Sequence, residues 1–230
     1  MKIKLAIFDL AGTTVKDNRD VERILDETLN DFGIIASKED VNAAMGIPKP
    51  VAIRQLLSKY SADAAIPEFV EEIHAVFVQS MIEFYRNDPS VKEQDGVSEV
   101  FSILKDNGIK VGIDTGFDRA ITDVLLARLG WVEKNLVNYS VTSDEVERGR
   151  PYPDLIHRLM ELAGINDASR VVKVGDTVVD LKEGNAARCG LVVGVTAGAG
   201  AREALQREEH THLIDNIPEL LNVLGLHEVV

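Results

Sequence analysis

Asp9 ends the strand-like run Ile3 to Phe8 and is followed by Leu10-Ala11-Gly12-Thr13-Thr14. A carboxylate in that position is either a nucleophile, as in aspartyl-phosphate chemistry, or a cap for the turn that follows. Gly12 with Thr13 and Thr14 favours a tight turn whose backbone N–H groups can approach an anion. The place two positions after Asp9, where a second carboxylate would fit, holds Ala11. Asp176 and Asp180, in Gly175-Asp176-Thr177-Val178-Val179-Asp180, stand where a strand gives way to a helix. Their spacing suits a hard divalent cation such as Mg²⁺; the alternative is an N-cap aspartate followed by a first-turn acid.

Two cations join these acids as candidates. Arg150, in Gly149-Arg150-Pro151-Tyr152-Pro153, either binds phosphoryl oxygens or forms a solvated pair with Glu145 or Glu147. Lys49 lies between Pro48 and Pro50, which predicts an extended turn just ahead of a helix starting at Pro50 or Val51. The positive end of that helix disfavours an ammonium there. Lys49 is thus either a nucleophilic amine or an exposed loop lysine. Thr115-Gly116 adds a hydroxyl and an N–H at another strand end.

The elements that must position these groups follow from hydrophobic periodicity. Apolar runs at Ile3 to Phe8, Val111 to Ile113, Val137 to Val141, Val171 to Val174 and Leu191 to Val195 alternate with helical stretches, which predicts a parallel sheet with right-handed crossovers. Ligands bind such sheets beyond the carboxyl ends of the strands, so Asp9, Thr115 and Asp176 should converge. The crossover from Asp9 to Lys110 is too long for one helix and reads as helical throughout, with apolar stripes over Val21 to Phe32 and Phe69 to Tyr85 and shorter helices at Lys38 to Ala44 and Val51 to Tyr60. The expected organisation is a core of residues 1–15 and 93–230 with a helical cap, residues 16–92, hinged near Val15-Lys16 and Pro89 to Gly96.

A net charge of −13 argues against nucleic acid or an anionic membrane as partner, and no run of eighteen apolar residues occurs. Met1-Lys2-Ile3-Lys4 leads into a strand without the apolar stretch of a signal peptide, so a soluble, cytoplasmic protein is expected. The single cysteine, Cys189, excludes an internal disulfide, and Trp131 reads as core packing. Gly198-Ala199-Gly200 resembles part of a dinucleotide-binding turn, but Glu203 stands where a third glycine belongs.

Asp9 with Gly12-Thr13, Thr115-Gly116, Arg150 and Gly175-Asp176 with Asp180 resemble the haloacid dehalogenase-like (HAD) hydrolase superfamily, in order and across nearly the whole chain. The resemblance implies an α/β fold with a Rossmann-like parallel-sheet core and an inserted α-helical cap. It also implies a nucleophile at Asp9, phosphoryl contacts from Thr115 and Arg150, and a Mg²⁺ site at the positions of Asp9, Ala11, Asp176 and Asp180. Asp9 to Thr13, Gly149 to Pro153 and Val174 to Asp180 resemble, more narrowly, the phosphonatases. That family carries a Schiff-base lysine in a Met-Gly-x-x-Lys segment, which Met45-Gly46-Ile47-Pro48-Lys49 matches. Ala11, Gly12, Thr13, Met45, Gly116 and Phe117 become substrate-binding positions by the same likeness. Three phosphonatase positions differ, since Ala52, Phe117 and Arg19 stand where that family has histidine, tyrosine and cysteine.

The chemistry ties Ala11 to Lys49. Ester hydrolysis needs acid–base help, usually from the second aspartate, whereas carbon–phosphorus cleavage needs an electron sink, which an iminium on Lys49 supplies. The implied function is Mg²⁺-dependent cleavage of phosphonoacetaldehyde or a related 2-oxoalkylphosphonate through a Lys Schiff base and an aspartyl-phosphate. The alternative is a Mg²⁺-dependent phosphatase or phosphomutase for a small phosphate ester. A phospho-accepting receiver domain is opposed by the long insertion. The expected partner is a small phosphonate or phosphate substrate, and the oligomeric state, a homodimer included, is open.

Overall fold

A computed structural model describes residues 2–198, 200 and 202–226. Six strands, β1 (Leu5–Phe8), β2 (Lys110–Thr115), β3 (Tyr139–Thr142), β4 (Val171–Gly175), β5 (Leu191–Val195) and β6 (His212–Ile214), form one sheet in the order β3-β2-β1-β4-β5-β6. Every pairing is parallel. The chain runs outward from β1 to β3 on one side and from β4 to β6 on the other. Strand order therefore reverses at β1, and the crevice opens beyond Asp9.

Side chains alternate across β1, so Leu5 and Ile7 pack on one face against Leu155, Ile156 and Leu159. Those three lie on α7 (Asp154–Ala163). Ala6 and Phe8 face the other way, where Phe8 packs tilted against Phe101 at 5.0 Å and Phe101 meets the fully buried Trp131 edge to face at 5.1 Å. Phe101 belongs to α5 (Val97–Asp106) and Trp131 follows α6 (Arg119–Leu129). Each such large apolar side chain removed from water contributes roughly 1.5–3 kcal/mol. Helix α8 (Val178–Ala186) covers β4 and β5, and two short helices, α9 (Arg202–Arg207) and α10 (Glu219–Val223), complete the core.

Four α-helices make up the insertion in the first crossover, ahead of α5: α1 (Asp20–Asp31), α2 (Lys38–Ala43), α3 (Lys49–Tyr60) and α4 (Pro67–Asn87). Their apolar stripes meet one another, with Val21, Ile24, Leu25 and Leu29 of α1 and Val70, Ile73, Phe77 and Met81 of α4 all buried. The two chain segments that join this insertion to the core run side by side. Lys16 N donates to Lys92 O at 2.9 Å, Gln94 N donates to Thr14 O at 2.8 Å, and Val15 forms an antiparallel bridge with Glu93.

Two expectations shift in detail. β3 begins at Tyr139, because Val137 precedes the strand and the Asn138 side chain accepts from Val111 N at 2.8 Å. Lys49 is itself the first residue of α3, with Pro48 before it and Pro50 after, rather than part of a turn ahead of the helix. Proline at the second helical position costs nothing, since its missing N–H has no intrahelical acceptor there. No helix of the described residues is long and apolar enough to cross a membrane.

Candidate active site

Asp9 sits one residue past β1, with its backbone N–H donating to Val174 O at 3.0 Å. The turn behind it closes without its carboxylate: the N–H groups of Thr13, Thr14 and Val15 donate to Leu10 O, and that of Gly12 to Val15 O. The side chain is therefore directed to other work than capping. Gly12 has φ +89°, and a Cβ there would collide with the Asp176 carboxylate. Thr13 is fully buried and donates its hydroxyl to Asp176 Oδ1 at 2.8 Å, so it holds an acid in place rather than lining the crevice.

Arg150 is 3% exposed, which removes the solvated pair with Glu145 or Glu147 from consideration. Glu145 is taken instead by Arg119. Arg150 Nη1 donates to Asp9 Oδ1 at 2.7 Å, and its other contacts are Asp114, Asp180 Oδ1 at 3.1 Å and Glu183 Oε2 at 3.0 Å. Beneath it Lys173, from the middle of β4, pairs with Asp114, with Asp180 at 3.1 Å and with Glu183 at 3.2 Å. Four buried acids, Asp9, Asp114, Asp180 and Glu183, thus meet the two buried cations Arg150 and Lys173, and the buried Asp176 stands beside them on Thr13. Burial pushes Asp9 up to about 6 against the pull of Arg150, and pushes Glu183 up to about 8, with Asp114 adding to it.

The N-cap of α8 is Thr177, not Asp176. Thr177 and Asp180 exchange hydrogen bonds in a capping box, with Thr177 Oγ1 donating to Asp180 Oδ2 at 2.6 Å. Carboxylate oxygens of Asp9, Asp176 and Asp180 lie within 4.8 Å of one another, a donor set that can hold a hard divalent cation. Asp114, Asp180 and Glu183 form a second such group around the Lys173 ammonium, while Arg150 Nη1 lies 2.7 Å from Asp9 and 3.1 Å from Asp180 in the first.

Asp9, Ala11, Thr115, Gly116 and Arg150 line the core side of a crevice of ≈ 40 Å³. Met45, Gly46 and Lys49 of the insertion line it too, as does Phe117. Lys49 is 3% exposed, its Nζ 3.5 Å from Ile47 O and 5.9 Å from the centre of the Phe117 ring. The exposed-loop reading of this lysine fails. Desolvation lowers Lys49 to about 8; Asp9 opposes the shift and Arg150 adds to it. The insertion touches the core closely here, for a Cβ on Gly46 would meet Thr177 Oγ1 at 2.7 Å and one on Gly149 would strike Pro48.

Several neighbours escaped the sequence reading. Lys173 left a visible signal, a charge inside the apolar run Val171-Val172-Lys173-Val174 of a strand buried on both faces. Asp17 and Thr177 also line the crevice. Tyr85 is buried with its ring 5.9 Å from Phe117, and desolvation, with Asp17, Asp9 and Asp20 nearby, holds its hydroxyl protonated. Gly198 and Gly200 pack on Asp176, where any side chain would collide, so they serve close approach rather than a dinucleotide. Ala199, between them, lies outside the described residues.

A parallel sheet that reverses order at β1, an acid at that reversal and a helical insertion after it define the class. The model of the haloacid dehalogenase-like hydrolases matches residues 6–193, and this chain belongs to that family. It is similar, at 29% identity over 251 residues, to the phosphonoacetaldehyde hydrolase of Bacillus cytotoxicus, covering 100% of this chain and 92% of the relative. Among solved structures it resembles a phosphonoacetaldehyde hydrolase-like protein from Oleispira antarctica (TM-score 0.80, 22% identity, 98% of this chain and 92% of the other). A predicted phosphoglycolate phosphatase from Haemophilus somnus shares the fold as well (TM-score 0.80, 20% identity, 97% of this chain and 98% of the other). The protein is an enzyme of the hydrolase class.

Proposed function

We propose that the enzyme cleaves the carbon–phosphorus bond of phosphonoacetaldehyde or a related 2-oxoalkylphosphonate through an imine on Lys49 and an aspartyl-phosphate on Asp9. The observation that carries this reading is Lys49: a buried amine, lowered to about 8, in the same crevice that Asp9 lines. A neutral amine adds to a carbonyl, and an ammonium does not. The iminium then accepts the electron pair of the carbon–phosphorus bond. Asp9 bonds to phosphorus as that bond breaks, the pair becomes the double bond of an enamine, and the nitrogen loses its charge. Water hydrolyses the aspartyl-phosphate to phosphate and restores the carboxylate.

Thr115 and Arg150 are assigned to the phosphoryl oxygens; Ala11, Gly12, Met45, Gly116 and Phe117 shape the space around the substrate. Residues 16–92 act as a cap that opens on the paired segments at 14–16 and 92–94 to admit it. Mg²⁺ fits the oxygen donors of Asp9, Asp176 and Asp180 at the Ala11 turn, which lie within 4.8 Å of one another. When bound, Mg²⁺ supplies the neutralisation that lets an anionic carboxylate meet a phosphoryl group.

A second reading, hydrolysis or mutase transfer of a small phosphate ester with Lys49 as a charged clamp, draws support from the fold shared with the phosphoglycolate phosphatase. Ala11 opposes it, since no carboxylate stands there to protonate a leaving alkoxide. Borohydride distinguishes the two. Reduction in the presence of phosphonoacetaldehyde should leave a stable adduct that peptide mapping places on Lys49. Turnover of phosphate esters alone, with no adduct, would replace the first reading by the second.

A further inference from the structure

Imine chemistry moves protons between nitrogen and oxygen, and few groups in the crevice can carry them. Among the described residues lining it, the ionisable side chains are Asp9, Asp17, Lys49 and Arg150. Asp9 is engaged by Arg150, and Arg150 holds its proton at any accessible pH, its pKa raised further because Asp114, Asp180, Asp9 and Glu183 outweigh its burial. Ala52, buried in α3, and Phe117 have no proton to give. The Thr177 hydroxyl is committed to Asp180, and Tyr85 is not among the residues lining the crevice, with burial holding its proton in place.

We propose that Asp17 is the proton carrier of the imine steps, taking a proton from the Lys49 nitrogen and delivering it to the departing hydroxyl. The inference rests on the Schiff-base reading above. In the protonated carbinolamine, the N–H electron pair becomes the C=N bond as Asp17 removes the proton. The C–O pair leaves with the hydroxyl, which takes that proton and departs as water. The charge is +1 before and after, and Asp17 ends as the carboxylate it began as. Hydrolysis of the product imine runs the same steps backwards.

The geometry suits the role. Asp17 enters from the segment joining core to insertion, half-buried, with Oδ1 accepting from Asp20 N at 2.6 Å and Val21 N at 3.4 Å. Those bonds fix the side chain at the first turn of α1. Burial raises its pKa; the two N–H groups and Lys49 oppose that, and the Asp20 carboxylate adds to it. Tyr85 of α4 faces it as a neutral phenol.

The test isolates imine formation by working in an Asp9→Asn background, where phosphoryl transfer is blocked. Asp17→Asn keeps both acceptor contacts, because its amide oxygen can take the Asp20 and Val21 N–H groups as Oδ1 does, so the melting temperature should hold. The rate of borohydride capture with phosphonoacetaldehyde should fall about 10²-fold, the scale of a lost general acid–base, while the final extent of adduct stays the same. The steeper loss of rate that Asp17 protonation causes at acid pH should vanish as well. Equal capture rates with and without Asp17→Asn overturn the proposal, as does a slowed variant that retains the acid limb. Absence of any adduct in the Asp9→Asn protein itself sinks the Schiff-base reading instead. Asp17→Ser repeats the measurement if the asparagine variant misfolds.

Discussion

Lys49 and Lys173 are both buried, at 3% and 0% exposure, and both stand close to Arg150 in charge terms, yet they titrate in opposite directions. Lys49 hangs from the insertion with a carbonyl at 3.5 Å as its nearest acceptor and an aromatic face beyond. Desolvation wins, and its pKa falls to about 8. Lys173 suffers the same desolvation and the same repulsion from Arg150, but Asp114, Glu183 and Asp180 surround it and carry its pKa above the ordinary lysine value. Burial alone therefore does not make a lysine reactive. What matters is whether carboxylates accompany it. The core supplies a charge fixed in place beneath Arg150, while the insertion supplies an amine free to lose its proton.

Substitutions at the two positions should separate these roles. Lys49→Arg keeps a cation but cannot form an iminium, so phosphate release from phosphonoacetaldehyde should drop at least about 10³-fold. A variant that retains more than a tenth of the activity would make Lys49 a clamp after all. Lys173→Met strands Asp114, Asp180 and Glu183 around Arg150 without their second cation. Breaking a buried pair typically costs about 3–5 kcal/mol, and the melting temperature should fall by roughly 10 °C. An unchanged melting temperature would show that the acids take up protons at little cost.

Lys49→Met should act with the opposite sign. Folding forces this amine from its ordinary pKa down to about 8, so at neutral pH the native state bears the cost of a desolvated ammonium or of its lost proton. Removing the amine should stabilise the protein by about 1–3 kcal/mol while abolishing imine capture. A destabilised Lys49→Met protein would mean that the amine contributes packing or contacts beyond those at Ile47 and Phe117.

The contrast between the lysines also marks how far the sequence could be read. Asp9, Thr115 and Asp176 were legible because parallel strands end in polar residues at one edge, and the insertion because no single helix spans Asp9 to Lys110. Lys49 stood out through its flanking prolines. Its burial did not, since that depends on how Gly46 and Pro48 seat against Thr177 and Gly149 of the core. The partners of Arg150 were misjudged for a related reason: Glu145 and Glu147 are near in sequence, whereas Asp9, Asp114, Asp180 and Glu183 meet it only once β1, β2 and α8 assemble. Asp17 was hidden by ordinariness, an acid before a helix that also happens to border the crevice.

The smallest effect and the most direct comparison come from pH. Capture of phosphonoacetaldehyde on Lys49 depends on the neutral amine, whose fraction rises about tenfold per pH unit until the pH reaches about 8 and then levels. The rate should follow that curve, with Asp9, raised to about 6, contributing to turnover but not to capture. Lys173 stays charged throughout, so no second rise should appear on its account. The stability curve has its own sign: between about 8 and the ordinary lysine value the unfolded chain binds a proton that folded Lys49 does not, so this group makes stability increase as pH rises through that window. Lys49→Met should lose that increment and the capture limb together. If capture in the wild type keeps rising beyond pH 10, Lys49 titrates like an exposed lysine, and the distinction drawn between the two buried amines collapses.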